Sequence, residues 1–177
     1  MTTLAPAATQ DDADAAYALI LEASAWLKRR GIAQWDPPFP RELFDQCVLR
    51  DEVWLLRAGT GSILCTVNLA QSPPTCLPAV NAAPPCWYLS RLVVARALAG
   101  QGMGAKMLRL SEEEARVAGA HWHGLDCLTD NARLRRYYRD AGWREWGTAR
   151  TFGADLTLFE RVLVSRSRTE EAGIQGA

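Results

Sequence analysis

The stretch "ALAGQGMGAKML", Ala97 to Leu108, places Gly100, Gly102 and Gly104 at alternate positions and then runs into good helix formers. An apolar stretch of strand length, "WYLSRLVVA", ends just before it. Glycines between a strand and a helix let the backbone turn sharply, and the helix N-terminus then points its unpaired N–H groups back at the turn. Such a turn can hold a pyrophosphate through backbone donors and the helix dipole, with no basic side chain. Three glycines also cost conformational entropy on folding, which favours a ligand cradle over a plain connection.

Two familiar phosphate loops do not fit. A P-loop requires G-x-x-x-x-G-K-[ST], whereas Lys106 follows Ala105 and precedes Met107. A dinucleotide turn requires G-x-G-x-x-G. Starting from Gly102 the last glycine would fall on Met107, and starting from Gly100 on Ala105. That fingerprint also belongs on an early strand, and here several elements come first.

The residues instead resemble the GNAT acetyltransferase superfamily. "LVVARALAGQGMGAKML" is similar to its pantetheine-pyrophosphate motif, [RQ]-x-x-G-x-[GA], with Gly102 and Gly104 at the small positions and Ala99 as a departure. "NARLRRYYRDAGW" resembles its N-x-x-x-x-x-x-Y-x-x-x-G-[FW] helix through Asn131, Tyr138, Gly142 and Trp143. The resemblance runs from about residue 2 to 164, and two motifs in the right order are more specific than either alone.

The resemblance implies direct transfer of an acetyl group from acetyl-CoA to an amine. It implies a single-domain α/β fold: a mixed, mostly antiparallel sheet whose central strands splay apart, flanked by helices. Val94 would offer its backbone N–H to the thioester oxyanion. Gln101, Gly102, Met103, Gly104 and Ala105 would surround the pyrophosphate, and Asn131 would bond the pantetheine arm or the helix that carries it. Tyr138 would be the general acid for the departing thiolate. With reference pKa values of ~10 for tyrosine and ~8.5 for a thiol, full proton transfer is uphill by about 2 kcal/mol, so Tyr138 would act mainly by hydrogen bonding. Its neighbour Tyr137 occupies a usually apolar slot and reads as core.

Many family members carry a glutamate base on the strand before the loop, and "WYLSRLVVA" has no carboxylate. Tyr88 and Ser90 stand where one would sit. A water relay, Asp126, Asp36 and Glu52 are alternatives, and the sequence assigns none of them. On the acceptor side, Trp26, Gln34 and Trp35 either line a small-molecule pocket or lock a proline-rich loop into the core. His121 and His123 lack a third ligand, so no metal is expected.

The elements that must position these residues follow from periodicity. Thr9 precedes Asp12 by three, and apolar residues recur at helical spacing from Ala16 to Leu27 before Gly31. A short strand at Thr2 to Ala5 precedes that helix, "IAQWDPPFP" is an extended loop, and Arg41 to Leu49 reads as a second helix. "EVWLLRAGTGSILCTVNLA" is a hairpin, and "QSPPTCLPAVNAAPP" is too proline-rich for a regular element. A strand, the glycine turn, a helix to about Ala118, a strand at "HGLDCLT", a helix from Asn131 to Ala141 and a last strand pair complete the order.

Bulk properties agree with one domain, expected over residues 1–165, with a flexible tail at 166–177; domains average roughly 150 residues. Net charge is zero, and 18 of the 20 basic residues are arginine, a bias of composition that predicts no nucleic-acid or membrane partner. The five cysteines are scattered and odd in number, which argues against a disulfide framework and for a reducing, cytoplasmic setting. The expected partner is a small-molecule amine, with a peptide amine as the variant and a homodimer possible. Ala99 and the absent glutamate keep open a second class, a non-catalytic acyl-CoA-binding or sensing domain. A nucleotide module is disfavoured by both failed fingerprints.

Overall fold

The computed structural model describes residues 2–32, 34–74, 77, 85–151 and 153–163. Strand β1 (Thr2–Pro6) leads into helix α1 (Gln10–Lys28). At its start the Thr9 hydroxyl accepts the Asp12 N–H at 3.1 Å, and the Asp12 carboxylate accepts the Ala8 N–H at 2.9 Å. This reciprocal cap pairs donors the helix cannot pair itself, and such caps contribute about 1 kcal/mol. The Ala8 N–H, with Arg57 beside it, also holds the Asp12 carboxyl below its usual range.

The chain continues through α2 (Arg41–Leu49), β2 (Val53–Ala58), β3 (Ile63–Ala70) and β4 (Cys86–Val94). A short 3-10 turn at Arg96–Leu98 precedes α3 (Met103–Val117), followed by β5 (Trp122–Leu128), α4 (Ala132–Asp140), β6 (Arg144–Thr151) and β7 (Ala154–Val162). Element order and type are those expected from periodicity. Most of the proline-rich stretch after β3 (75, 76 and 78–84) and the expected tail (within 164–177) lie outside the described residues. No helix among the described residues is long and apolar enough to cross a membrane.

The seven strands form one sheet in the order β1-β2-β3-β4-β5-β7-β6. Every pairing is antiparallel except β4 with β5, which is parallel. Alternation along β2 separates the two faces. Val53 and Leu55 pack with Ala16 and Ile20 of α1 and Phe44 of α2, whereas Trp54 and Leu56 face Met107 and Leu108 of α3 and Tyr138 of α4. Cys47, Cys65, Cys86 and Cys127 are buried, and burial pushes the Cys65 thiol up to about 11 and the Cys127 thiol up to about 12. They behave as small apolar side chains.

Two irregularities shape the centre of the sheet. First, β4 and β5 pair only from Cys86 with Trp122 to Leu89 with Leu125. Beyond that point β4 follows β3 to Val94, and β5 follows β7 to Leu128, so the two strands part. Second, β4 carries a bulge. Thr66 pairs with Val93 and Asn68 with Ser90, and within the extra length Arg91 takes φ +50°. Trp87, Leu89, Leu92 and Val94 therefore all pack on the α3–α4 face although Leu89 and Leu92 are three apart. Strict alternation would have turned Leu92 and Val94 over. The bulge restores them and sends Arg91 and Val93 to the α1–α2 face.

Candidate active site

The fork between β4 and β5 is the only place where the described central strands lose their mutual pairing. The glycine turn stands at its mouth. Gly100 and Gly102 have φ of +79° and +76°, a region that costs side-chain-bearing residues dearly. The first bond inside α3 runs from the Lys106 N–H to the Gly102 carbonyl at 3.0 Å, and no side chain caps the helix. The N–H groups of Met103, Gly104 and Ala105 precede that bond and stand together with the positive end of the dipole. Gln101 departs from expectation: its N–H donates to the Leu98 carbonyl at 3.2 Å, and its side-chain amide donates to the Ala97 carbonyl. It braces the turn.

Gly104 is glycine for a different reason. A Cβ there would lie 2.8 Å from the Tyr137 hydroxyl, inside contact distance. Tyr137 is thus more than the core residue the sequence implied. Its half-buried ring packs on the α3–α4 cluster, while its hydroxyl reaches from α4 to the first turn of α3. The unpaired N–H groups at the start of α3 fit a pyrophosphate held by amides.

Asn131 caps α4, its side-chain oxygen accepting the Leu134 N–H at 3.0 Å. Of its two implied roles, it performs the one toward the helix. Tyr138, about two turns further on, is 5% exposed and packs between Tyr137 and Phe159, with ring centroids 5.6 and 5.4 Å away. Burial pushes its phenol above the usual range, and the neighbouring Cys127 and Asp126 add to the shift. Val94 ends β4, paired with Cys65 on its outer side and without a partner on β5.

On the other face, Asp126 is the first residue of β5 beyond the last β4–β5 pair. Its carboxylate accepts the Tyr88 hydroxyl at 2.6 Å. Burial pushes its carboxyl above the usual range, while Tyr88 and then Arg91 pull it partly back. Glu52 and Asp36, the other carboxylates considered, are engaged elsewhere: Glu52 with Arg50 at 2.7 Å and Asp36 with Lys28 at 3.1 Å. The aromatic residues expected to line the acceptor pocket divide. Trp26 carries the guanidinium groups of Arg30 and Arg96 over its ring, at 4.4 and 4.0 Å from the centroid, and so ties α1 to the turn after β4. Trp35 packs on the α1–α2 cluster that includes Val93, and its carbonyl accepts the Ser24 hydroxyl. Gln34 is half-buried in the same loop.

Arg91 went unnoticed in the sequence, yet it lies at the bulge on the α1–α2 face. The visible signal was a lone arginine between leucines spaced by three, where a strand would space them by two or four.

Comparison with known proteins bears on this arrangement. The model of the acetyltransferase (GNAT) family matches residues 19–143, a span that includes the fork, the glycine turn and Tyr138. An uncharacterized N-acetyltransferase, YesJ, of Bacillus subtilis (strain 168) is 27% identical over 167 residues, covering 89% of each chain. A GNAT-family acetyltransferase structure from Listeria monocytogenes 4b F2365 superposes with a TM-score of 0.75 at 22% identity, covering 92% of this chain and 95% of that one. A structure of the NatC complex bound to Gag peptide and CoA gives 0.67 at 12% identity, covering 93% and 99%. The structural likenesses are of fold, while the family model takes in most of the chain. With the splayed strands and the glycine turn in the places the motifs require, this chain belongs to the GNAT acetyltransferase family.

Proposed function

We propose that the protein is an N-acetyltransferase that moves the acetyl group of acetyl-CoA directly to a primary amine of a small molecule. The observation that carries this reading is the fork itself. There β4 and β5 part, with the glycine turn and Tyr138 on the α3–α4 side and Asp126 and Arg91 on the other.

In this reading the amides of Met103, Gly104 and Ala105 hold the pyrophosphate, and Gly102 supplies the turn that aims them. The Val94 N–H stabilises the oxyanion that forms when the amine attacks the thioester carbonyl. Asp126 takes the proton lost by the amine. Its raised carboxyl makes it a stronger base than an exposed aspartate, and Tyr88 orients it. When the C–S bond breaks, the Tyr138 hydroxyl donates to the departing thiolate. Its phenol stays protonated because burial pushes its ionisation upward. The alternative, an acyl-CoA-binding domain without turnover, shares the cradle and differs only at the acid and base.

The test is thiol release from acetyl-CoA across a panel of primary amines. Turnover with at least one amine, reduced about a hundredfold or more in Tyr138→Phe, is the expected result. Stabilisation by CoA with no turnover for any amine would favour the binding domain.

A further inference from the structure

The acceptor face holds one cation whose surroundings do not account for it. Arg91 stands at the β4 bulge, its guanidinium 4.1 Å from the Phe39 ring centroid. Its Nε donates to the Asn68 side-chain oxygen at 3.1 Å, and one terminal nitrogen approaches the Cys47 sulfur at 3.6 Å. Among the described residues no carboxylate comes within 4.0 Å of it. A guanidinium carries five N–H donors, and an amide oxygen, a sulfur and a ring face leave its charge unmatched. Burial accordingly disfavours its charged form, with Cys47, Glu52 and Asp126 only partly offsetting that cost. A structural anchor between β4 and the loop before α2 would need only an apolar contact with Phe39. A charge kept there at a cost calls for a counter-charge.

Resting on the acetyltransferase reading, we propose that Arg91 receives the carboxylate of the acceptor, which makes the substrate an amino acid or a close amino-carboxylate. Charge balance selects this class. Arg91 and Asp126 interact electrostatically without forming an ion pair, so they offer one positive and one negative group on the same face of the fork. A zwitterion matches both: its carboxylate meets the planar fork of Arg91, and its ammonium meets Asp126, the base it must yield a proton to. A dianionic phosphate would meet a single cation and the repulsion of Asp126. A polyamine would meet Arg91 with like charge. The bulge is what makes this possible, because without the extra residue the strand would have turned position 91 toward α3.

The experiment compares thiol release for the proteinogenic amino acids, their carboxamides, their decarboxylated amines and spermidine, in the wild type, Arg91→Gln and Arg91→Lys. The wild type is expected to prefer one or more amino acids over the matched carboxamides by about tenfold to a hundredfold in kcat/KM, the range of a charge-assisted bond. In Arg91→Gln that preference collapses because KM rises more for the amino acid than for the carboxamide, while thermal stabilisation by acetyl-CoA is retained. Arg91→Lys recovers part of the preference, since the charge remains and the fork is lost. Equal turnover of amino acid and carboxamide, preferential turnover of spermidine, or a uniform fall for all amines in Arg91→Gln would overturn the proposal. If acetyl-CoA stabilises the fold and no amine is turned over, the acetyltransferase reading fails. Arg91 is then judged by binding alone: stabilisation by an amino acid that Arg91→Gln abolishes supports it, and stabilisation by none, or equally in both proteins, overturns it.

Discussion

The Tyr88 hydroxyl donates to the Asp126 carboxylate at 2.6 Å, one residue beyond the point where β4 and β5 stop pairing. Tyr88 stands opposite Gly124, so its ring can lean along β5 and reach the next residue on the same face. A carboxylate and its orienting hydroxyl thus meet where β4 and β5 part, and two consequences follow for pH. Burial raises the Asp126 carboxyl and Tyr88 lowers it. The rising limb of kcat/KM against pH is therefore expected above the usual aspartate value of ~3.9 and to move further up in Tyr88→Phe, which removes the lowering bond. Asp126→Asn is expected to cost about a hundredfold or more and to abolish the limb. A limb that stays put in Tyr88→Phe would remove Asp126 from the proton path.

The same shift has a stability consequence of definite sign. A carboxyl raised by folding costs nothing below its unfolded value and destabilises progressively as pH rises through its folded value. Asp126→Asn keeps an acceptor for Tyr88 without the charge, so it is expected to be at least as stable as the wild type at pH 7 in urea unfolding. A variant that is both inactive and clearly less stable would instead describe a structural carboxylate.

Gly104 and Tyr137 form a second coupled pair. Gly104→Ala sets a methyl group against the Tyr137 hydroxyl at 2.8 Å, while the ring carbon behind it is 3.7 Å away, an ordinary contact. Overpacking of this kind costs about 1 kcal/mol or more and would displace the first turn of α3. The KM for acetyl-CoA is expected to rise roughly tenfold in Gly104→Ala, since small misplacements at a site are costly. Adding Tyr137→Phe should restore most of it. A double variant as impaired as the single one would place the fault in the backbone instead.

His123 supplies an acid-stability prediction away from the site. It is fully buried edge-on to Trp143, and among the described residues neither ring nitrogen has a hydrogen-bond partner. Burial, with Arg161 and Arg116 adding to it, pulls its pKa down to about 3. Its unfolded value is ~6.5, so as pH falls below that the unfolded chain binds a proton the native one refuses. The stability it contributes is whole above ~6.5 and is lost as pH drops toward about 3, at up to ~1.4 kcal/mol per pH unit. Urea unfolding at pH 7, 6 and 5 should show a shallower acid decline in His123→Phe. Equal slopes in the two proteins would mean that His123 titrates normally.

The linear order of residues determined the elements, the cradle and the identity of its motif partners. Periodicity and capping are local, so Thr9, Gly31 and the apolar spacing of α1 are legible without the rest of the fold. Glycine spacing is also local, and with Asn131 and Tyr138 it pointed to one family. Side-chain direction is not local. Gln101 turned inward to brace its own turn, Trp26 was taken up by two arginines from different elements, and the Tyr137 hydroxyl crossed to α3. The acceptor face depended on tertiary structure most of all. Asp126 is one carboxylate among many until the strands part beside it. Arg91 lies on the α1–α2 face only because β4 spends one residue more than β3 over the bulge, a register that both strands must meet to decide.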